Sequence, residues 1–463
     1  MARLVVVSNR TAAPRDRGAR AGGLAVGLRE ALARSGGVWF GWSGDVAAEN
    51  PPAPRIQEAG NILFATIPLT RADHDDFYLH YANGTLWPLC HYRLGLVEFS
   101  RSAYEGYLRV NRLFASRLAP LLRPDDLIWV HDYHFFPLAA ALRDLGVNNR
   151  IGFFLHIPLP APEVLTALPR HRRLIQNLCC YDLVGFQTED DVRAFASYLE
   201  REDVGRVDPD GSFEAGERRG EVGAFPIGID TQAFVELAET GVSSPQTQRL
   251  RESLGGRRFI IGVDRLDYSK GIPQRMEAFQ TLLESRPEHR GAVTYMQIAP
   301  ISRGEVEEYQ ALRRDIEGWV GRINGEFGEF DWSPVRYLNK AFPRQSLAGF
   351  FREAAVGLVT PHRDGMNLVA KEYVAAQNPD DPGVLVLSRF AGASHALRQA
   401  LIVNPFDVEE MADAIHMALT MPLAERQARW IKMMAELREH TIQSWCESFV
   451  TRLAGSEDGR QAA

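Results

Sequence analysis

Arg265 and Lys270 stand in the run Val263-Asp264-Arg265-Leu266-Asp267-Tyr268-Ser269-Lys270-Gly271, directly after the apolar residues 259–263. That stretch reads as a buried parallel strand, and a helical pattern opens at Gly271-Ile272. Two fixed cations at the C-terminal end of such a strand, beside a helix N-terminus, make a place for a phosphate or diphosphate. Further along, strand-like residues 356–359 lead into Thr360-Pro361-His362-Arg363-Asp364-Gly365-Met366-Asn367-Leu368-Val369-Ala370-Lys371-Glu372. This second turn offers a carboxylate, a glycine and backbone amides at the start of another helix. One turn that grips a diphosphate and one that offers hydrogen bonds to a sugar point together to transfer of a sugar from a nucleotide.

Those turns need a scaffold, and composition bounds it. A chain of 463 residues is too long for one core and predicts two or three domains. A hydrophobic fraction of 45% and a charged fraction of 24% are those of an ordinary soluble globular protein. The net charge of −7 argues against a general nucleic-acid binder while allowing a local basic pocket. No apolar run approaches the roughly 20 residues needed to span a bilayer, so no membrane partner is expected. The N-terminus reads as an immediate strand, too short in its apolar part for a secretory signal. Cys90, Cys179, Cys180 and Cys446 make no CxxC pair, and adjacent Cys179-Cys180 would bridge only with strain. A reducing cytoplasm is the expected location.

Short apolar runs alternate with longer amphipathic ones, the βαβ signature of a parallel sheet covered by helices. Strands are predicted at 4–7, 62–67, 127–130, 151–155 and 183–186, with helices over 103–122, 137–145 and 190–199. A polar, glycine-containing segment, 201–220, predicts a surface hairpin or excursion. The polar tract from 230 to 256 predicts a domain boundary. Further strands are expected at 259–263, 293–298, 335–338, 356–359 and 384–387, then helix from 408 to about 453 broken at Pro422. The predicted domains are 1–230, 231–440 and a tail, 441–463, returning to the first. The fold class is α/β: two doubly wound Rossmann-like domains facing across a cleft.

The motifs resemble those of the trehalose-6-phosphate synthases, retaining glucosyltransferases of family 20 with GT-B architecture, over nearly the whole chain. The resembling segments include Ser8-Asn9-Arg10, Gly22-Gly23-Leu24, Trp39-Phe40-Gly41-Trp42, Trp87-Pro88, Tyr104-Glu105-Gly106-Tyr107, Val130-His131-Asp132-Tyr133-His134 and Phe153-Phe154-Leu155-His156-Ile157-Pro158. Gly185-Phe186-Gln187-Thr188, Pro226-Ile227-Gly228-Ile229 and the two turns described above complete the set. The resemblance implies transfer of glucose from a nucleoside-diphosphate glucose, UDP-glucose foremost, to glucose 6-phosphate. It implies no cofactor, and a homo-oligomer with a homotetramer as the expected state. The same family includes glucosylglycerol-phosphate synthases, so glycerol 3-phosphate is the second acceptor to weigh. A non-catalytic nucleotide-sugar sensor is the reading from another class, and the intact Arg265, Lys270, Asp364 and Glu372 argue against it.

Each residue has a plainer reading beside its functional one. Gly22 and Gly23 would let backbone amides approach a diphosphate, although glycine pairs more often make turns. Arg265 and Lys270 would stabilise charge on the leaving diphosphate; their plainer reading is a surface pair with Asp264 or Asp267. Asp364, by resemblance, binds hydroxyls of the donor glucose; in isolation it would cap the following helix. By resemblance the segment Met366, Asn367, Leu368, Val369, Ala370 and Lys371 lies near sugar and diphosphate, Glu372 accepts from the ribose, and Phe342 contacts the base. His156 is implied beside the anomeric centre, where a buried structural histidine is the default. On the acceptor side the resemblance implies Arg10 and Arg303 on the phosphate, Asp132 on sugar hydroxyls, and Tyr78 and Trp87 as an aromatic wall, with Trp42 ranked below them. No metal is expected: Asp73-His74-Asp75 and Asp208-Pro209-Asp210 match the Asp-x-Asp spacing but read as structural. A double displacement needs a carboxylate on the opposite face of the sugar, and no pair declares itself; the resemblance implies a front-face route, in which the leaving phosphate helps deprotonate the incoming hydroxyl.

Overall fold

The computed structural model describes residues 2–11, 28, 29, 32, 36–301 and 307–455. Gly22, Gly23 and Arg303 lie outside these residues. Two compact units emerge, each around its own mainly parallel sheet: one takes the described residues up to Ile227 together with Gln443 onward, the other runs from Gly228 to Ile442.

In the first unit the strands are β1 (Leu4–Arg10), β2 (Gly37–Ala47), β3 (Arg55–Ala59), β4 (Ile62–Thr70), β5 (Leu127–His131), β6 (Ile151–Phe154), β7 (Leu183–Phe186), β8 (Arg206–Val207), β9 (Ser212–Ala215) and β10 (Arg218–Ala224). Their order is β3-β4-β2-β1-β5-β6-β7-β10-β9-β8. The seven from β4 to β10 pair in parallel, while β3 and the β9–β8 edge are antiparallel. The chain winds outward from β1 to β2 and β4, then returns to lay β5 on the other side of β1. Ligands bind at such a reversal, beyond the C-terminal strand ends. Arg10 and His131-Asp132 sit at those ends.

The predicted excursion at 201–220 is this antiparallel edge. The helix Ile442–Ala454 covers the far part of the sheet: Phe449 stacks on Trp129 at 4.6 Å and Trp445 lies 5.0 Å from Phe154. A Cβ on Gly152 would meet the Phe449 ring at 2.7 Å, so glycine in β6 is what lets this helix sit down.

In the second unit the strands are β11 (Arg258–Val263), β12 (Val293–Ile298), β13 (Val335–Leu338), β14 (Val356–Val359), β15 (Val384–Ser388) and β16 (Leu401–Val403). They form an all-parallel sheet in the order β13-β12-β11-β14-β15-β16. Its reversal lies between β11 and β14, the strands that carry the Arg265 and Asp364 turns. The core joins Ile260, Val356 and Val386 to helix residues such as Met276, Phe279 and Ile415. The polar tract read as a boundary holds two helices, Thr231–Gly241 and Pro245–Leu254. The predicted C-terminal helix breaks twice, into Val408–Thr420, Leu423–Glu439 and Ile442–Ala454. Ile229 and Thr441 are bridged side by side where the chain enters and leaves this unit.

Candidate active site

The reversal of the second unit brings the two turns into contact. The His362 amide donates to the Ser269 carbonyl at 2.8 Å, and the Lys270 ammonium pairs with Asp364 Oδ2. Beneath them lies Arg275, fully buried, which donates to Thr360 Oγ1 at 3.0 Å, to the Lys270 carbonyl at 2.8 Å and to Asp264 Oδ2 at 2.5 Å. One planar guanidinium, with its five donors, thus ties both turns to one carboxylate. Gly271 carries φ +64°, and a Cβ there would meet the Thr360 carbonyl oxygen at 2.6 Å. Only glycine lets the cationic turn run into the helix Ile272–Ser285 at this separation.

The plainer readings resolve differently at each residue. Arg265 is half exposed, with its guanidinium 3.9 Å from Asp267, the pairing expected of a surface arginine. Lys270 pairs with neither Asp264 nor Asp267 but with Asp364, on the neighbouring turn. Asp364 is not the cap of the next helix. That role falls to Asn367, at φ +78°, whose side-chain oxygen accepts from the Ala370 amide at 3.2 Å while its NH₂ donates to Asp364 Oδ2 at 3.1 Å. A non-glycine residue at such a φ is strained by about 1–3 kcal/mol, and such strain clusters at functional turns.

Further along the same helix, Leu368–Ala376, the expected binding segment divides. Leu368 and Val369 are partly exposed, and Met366 is buried. Ala370 is buried with its amide engaged by Asn367, and Lys371 points into the interior, where burial lowers its ammonium to about 8. The Lys371 side chain is therefore enclosed, unlike those of Leu368 and Val369 in the same expected segment. Glu372 is partly buried, 3.7 Å from Arg344. Burial pushes its carboxyl up to about 7 against the pull of that guanidinium. Phe342 packs edge-on to Phe350 at 5.2 Å, under the Lys340 ammonium.

In the first unit, Arg10 reaches from the end of β1 over the Trp42 ring at 5.1 Å. Trp42 lies 5.6 Å from Tyr78, which stacks on His134 at 6.1 Å. Trp42, ranked below Tyr78 and Trp87 on sequence, is thus the side chain that joins Arg10 to Tyr78. Trp87 is buried against Tyr133 at 5.7 Å and His91 at 4.1 Å, the core environment that a lone aromatic favours. Tyr78 lies on a wide π-type helix, His74–Leu86, in which the Asn83 side chain donates back to the Tyr78 carbonyl, five residues earlier. Such helices are rare and gather at functional sites.

Asp132 follows β5 at φ +78°, ψ 166°, a conformation that strongly favours glycine. Its amide donates to the Phe154 carbonyl at 2.8 Å, and its carboxylate accepts from the His156 amide at 3.3 Å. His156 Nε2 is 3.1 Å from His131 Nδ1. Burial lowers His156 to about 3, and burial together with its neighbour puts His131 well below the usual histidine range. Both rings are neutral at physiological pH.

The carboxylates of both Asp-x-Asp pairs have local partners, Asp208 with Arg206 at 3.7 Å among them. Asp73 accepts from Asn50, Thr70 and Arg109, and Asp75 from His74, all at the start of their helix. Asp210 closes its own turn onto Ser212. Among the described residues one cluster, Glu288, His289 and His416, has the make-up of a metal site. It precedes β12, at the sheet edge opposite the turns, and the guanidiniums of Arg258 and Arg286 beside His289 oppose a further cation. No described helix is long and apolar enough to cross a membrane.

Comparison with known proteins places this geometry. The sequence profile of glycosyltransferase family 20 matches residues 3–455. A trehalose-6-phosphate synthase of Sinorhizobium fredii is 53% identical over 462 residues, 99% of each chain. A Burkholderia xenovorans α,α-trehalose-phosphate synthase (UDP-forming), solved in complex with glucose-6-phosphate, is 51% identical with a TM-score of 0.94, covering 98% of this chain and 100% of its own. The trehalose-6-phosphate protein from E. coli bound with UDP-2-fluoro glucose is 49% identical at the same TM-score, covering 98% of this chain and 99% of its own. Two doubly wound parallel sheets, each with charged turns at its point of reversal, and a match along almost the entire length lead to one assignment: the chain belongs to glycosyltransferase family 20.

Proposed function

We propose that this enzyme transfers glucose from UDP-glucose to glucose 6-phosphate, giving α,α-trehalose 6-phosphate with the anomeric configuration retained. The observation that carries the reading is the meeting of Lys270 and Asp364 at the reversal of the second sheet. It sets a cation for a diphosphate against a carboxylate for a sugar. Two relatives about half identical to this chain hold, respectively, glucose-6-phosphate and a fluorinated UDP-glucose.

In this reading the second unit binds the donor. Arg265 and Lys270 take up the charge that grows on the leaving diphosphate, where each charge-assisted hydrogen bond contributes roughly 1.5–3 kcal/mol. Asp364, steadied by Asn367, receives glucose hydroxyls. Glu372 accepts from the ribose, with Arg344 holding its carboxylate, and Phe342 borders the base. The first unit binds the acceptor: Arg10 its phosphate, Asp132 its hydroxyls, and Tyr78 with Trp42 its apolar face. His156 lies beside the donor glucose. The attacking hydroxyl gives its proton to the leaving phosphate oxygen on the same face of the sugar, so no protein carboxylate serves as nucleophile. The enzyme works as a cytoplasmic homo-oligomer, a setting that four cysteines without a disulfide suit.

The test compares acceptors. With UDP-glucose fixed, glucose 6-phosphate is expected to be used at least tenfold better in kcat/KM than glycerol 3-phosphate. The smaller acceptor leaves Asp132 short of hydroxyl partners and the aromatic face empty. Preference for glycerol 3-phosphate would overturn the trehalose assignment and leave the donor site standing.

A pH effect follows from Glu372. A carboxyl raised to about 7 takes up a proton as pH falls through that value and loses an acceptor for the ribose. The KM for UDP-glucose is expected to rise on the acid side, by up to about tenfold per pH unit. Glu372→Gln should start from a higher KM and show a flat profile there. An unchanged acid limb in Glu372→Gln would remove Glu372 from the ribose site.

A further inference from the structure

His131 and His156 end two neighbouring strands, with His131 opposite Phe154 in the register of β5 on β6. Their rings stack at 5.3 Å with 25° between planes, and one nitrogen of each meets the other at 3.1 Å. One proton must lie between His131 Nδ1 and His156 Nε2, and which ring supplies it decides what His156 can do. If His156 supplies it, His131 must carry its own proton on Nε2, an enclosed atom with no hydrogen-bond partner. An orphaned buried N–H is the rarer arrangement in proteins. If His131 supplies it, that Nε2 is a bare lone pair, and His156 carries its proton on Nδ1.

The surroundings favour the second arrangement. His131 is walled by Trp129 at 4.6 Å and Trp445 at 6.3 Å, and His156 by Phe154 at 4.7 Å and Trp445 at 6.0 Å, none of them ionisable. Asp132 meets His156 at its main-chain amide, at 3.3 Å, and burial alone accounts for the lowered His156 ring. Nothing in these apolar walls accepts from His131 Nε2, so the arrangement that leaves that atom a lone pair strands no donor.

We propose that His131 is a positioning residue that fixes the tautomer of His156, making His156 a hydrogen-bond donor through Nδ1–H and excluding it as a base. The inference rests on the reading that His156 lies beside the donor glucose. A base at that position would compete with the leaving phosphate for the acceptor proton. A ring whose free side holds N–H instead donates to an oxygen of the donor sugar and leaves the proton transfer to the phosphate. The sequence alone could not pair these residues, because their contact depends on strand register.

Nitrogen NMR of the wild-type enzyme with labelled histidine reads the tautomer without any substitution. His156 should show a pyrrole-type Nδ1 and a pyridine-type Nε2, and His131 a pyrrole-type Nδ1. A pyrrole-type Nε2 in His156 overturns the proposal. In kinetics His131→Phe, which keeps the ring and loses the donor, is expected to lower kcat about tenfold, as for one lost hydrogen bond, with the KM for glucose 6-phosphate little changed. His131→Asn, whose NH₂ stands near the place of Nδ1, should restore most of it, a rescue that a purely packing role would not give. Equal loss in Phe and Asn variants with matched thermal stability counts against the tautomer role. The underlying reading fails separately: the expected tautomer in NMR, with unchanged donor kinetics in His156→Ala, would remove His156 from the donor sugar.

Discussion

Lys270→Ala and Arg265→Ala are each expected to lower turnover by about a hundredfold or more at saturating substrates, the loss that follows removal of a preorganised donor to developing charge. The two should differ in stability. Arg265 is half exposed and 3.9 Å from Asp267, so its loss should lower the melting temperature less than the loss of Lys270 does. Lys270 is largely enclosed and pairs with an enclosed Asp364, so its removal takes the paired cation from an enclosed carboxylate. Lys270→Ala should therefore also lower the melting temperature, and Asp364→Asn in the same chain should recover part of that drop. Near-normal turnover in either single variant would reject the leaving-group role. Equal stability losses in both would show that the Lys270–Asp364 pair is not the contact that separates them.

The part of this arrangement legible in the sequence is the part set by burial. A central parallel strand is covered on both faces and reads as a continuous apolar run. Val293–Ile298 and Val356–Val359, buried throughout, are accordingly found where the pattern puts them, as is Arg258–Val263 to within one residue, and the turns after β11 and β14 carry the cations and the carboxylate. What escaped lies where that signal fades. β3 is an exposed edge strand and β16 is three residues long. β2 mixes glycines with tryptophans and reads as a motif before it reads as a strand. The helices Thr231–Gly241 and Pro245–Leu254 hide in a polar tract. Their caps were the available signal: Asp230 accepts from Ala233, and Ser244 accepts from Thr247 ahead of Pro245. The helix His74–Leu86 is wound too widely for a 3.6-residue pattern to report which face Tyr78 occupies.

The same division holds within the site. Residues that follow a strand were legible one by one, but their partners were not. Lys270 with Asp364, Arg344 with Glu372 and Arg10 with Trp42 all join segments far apart in the chain. Arg275 was passed over because an arginine inside a helical pattern reads as surface, whereas here it is buried and holds both turns. Asp364 and Asn367 compete for one capping role, and local spacing cannot decide between them when the winner sits at positive φ.

Strain at Asp132 separates its structural role from its chemical one. At φ +78°, ψ 166° an aspartate costs about 1–3 kcal/mol that glycine would not. One contact its side chain makes with the fold, from the His156 amide, is long at 3.3 Å. Asp132→Gly should therefore leave the melting temperature unchanged or raise it. The same change removes the carboxylate proposed to receive the acceptor's hydroxyls, so kcat/KM for glucose 6-phosphate should fall by about ten- to a hundredfold. Glycerol 3-phosphate, which has fewer hydroxyls to offer, should lose less, and discrimination between the two acceptors should narrow. Donor affinity, read from UDP binding, should hardly move. A variant that is more stable and less able to choose its acceptor would mean that the strain is maintained for recognition. A variant that is much less stable and kinetically normal when folded would mean that Asp132 serves the turn alone, and the acceptor site would then have to be rebuilt around Arg10, Trp42 and Tyr78.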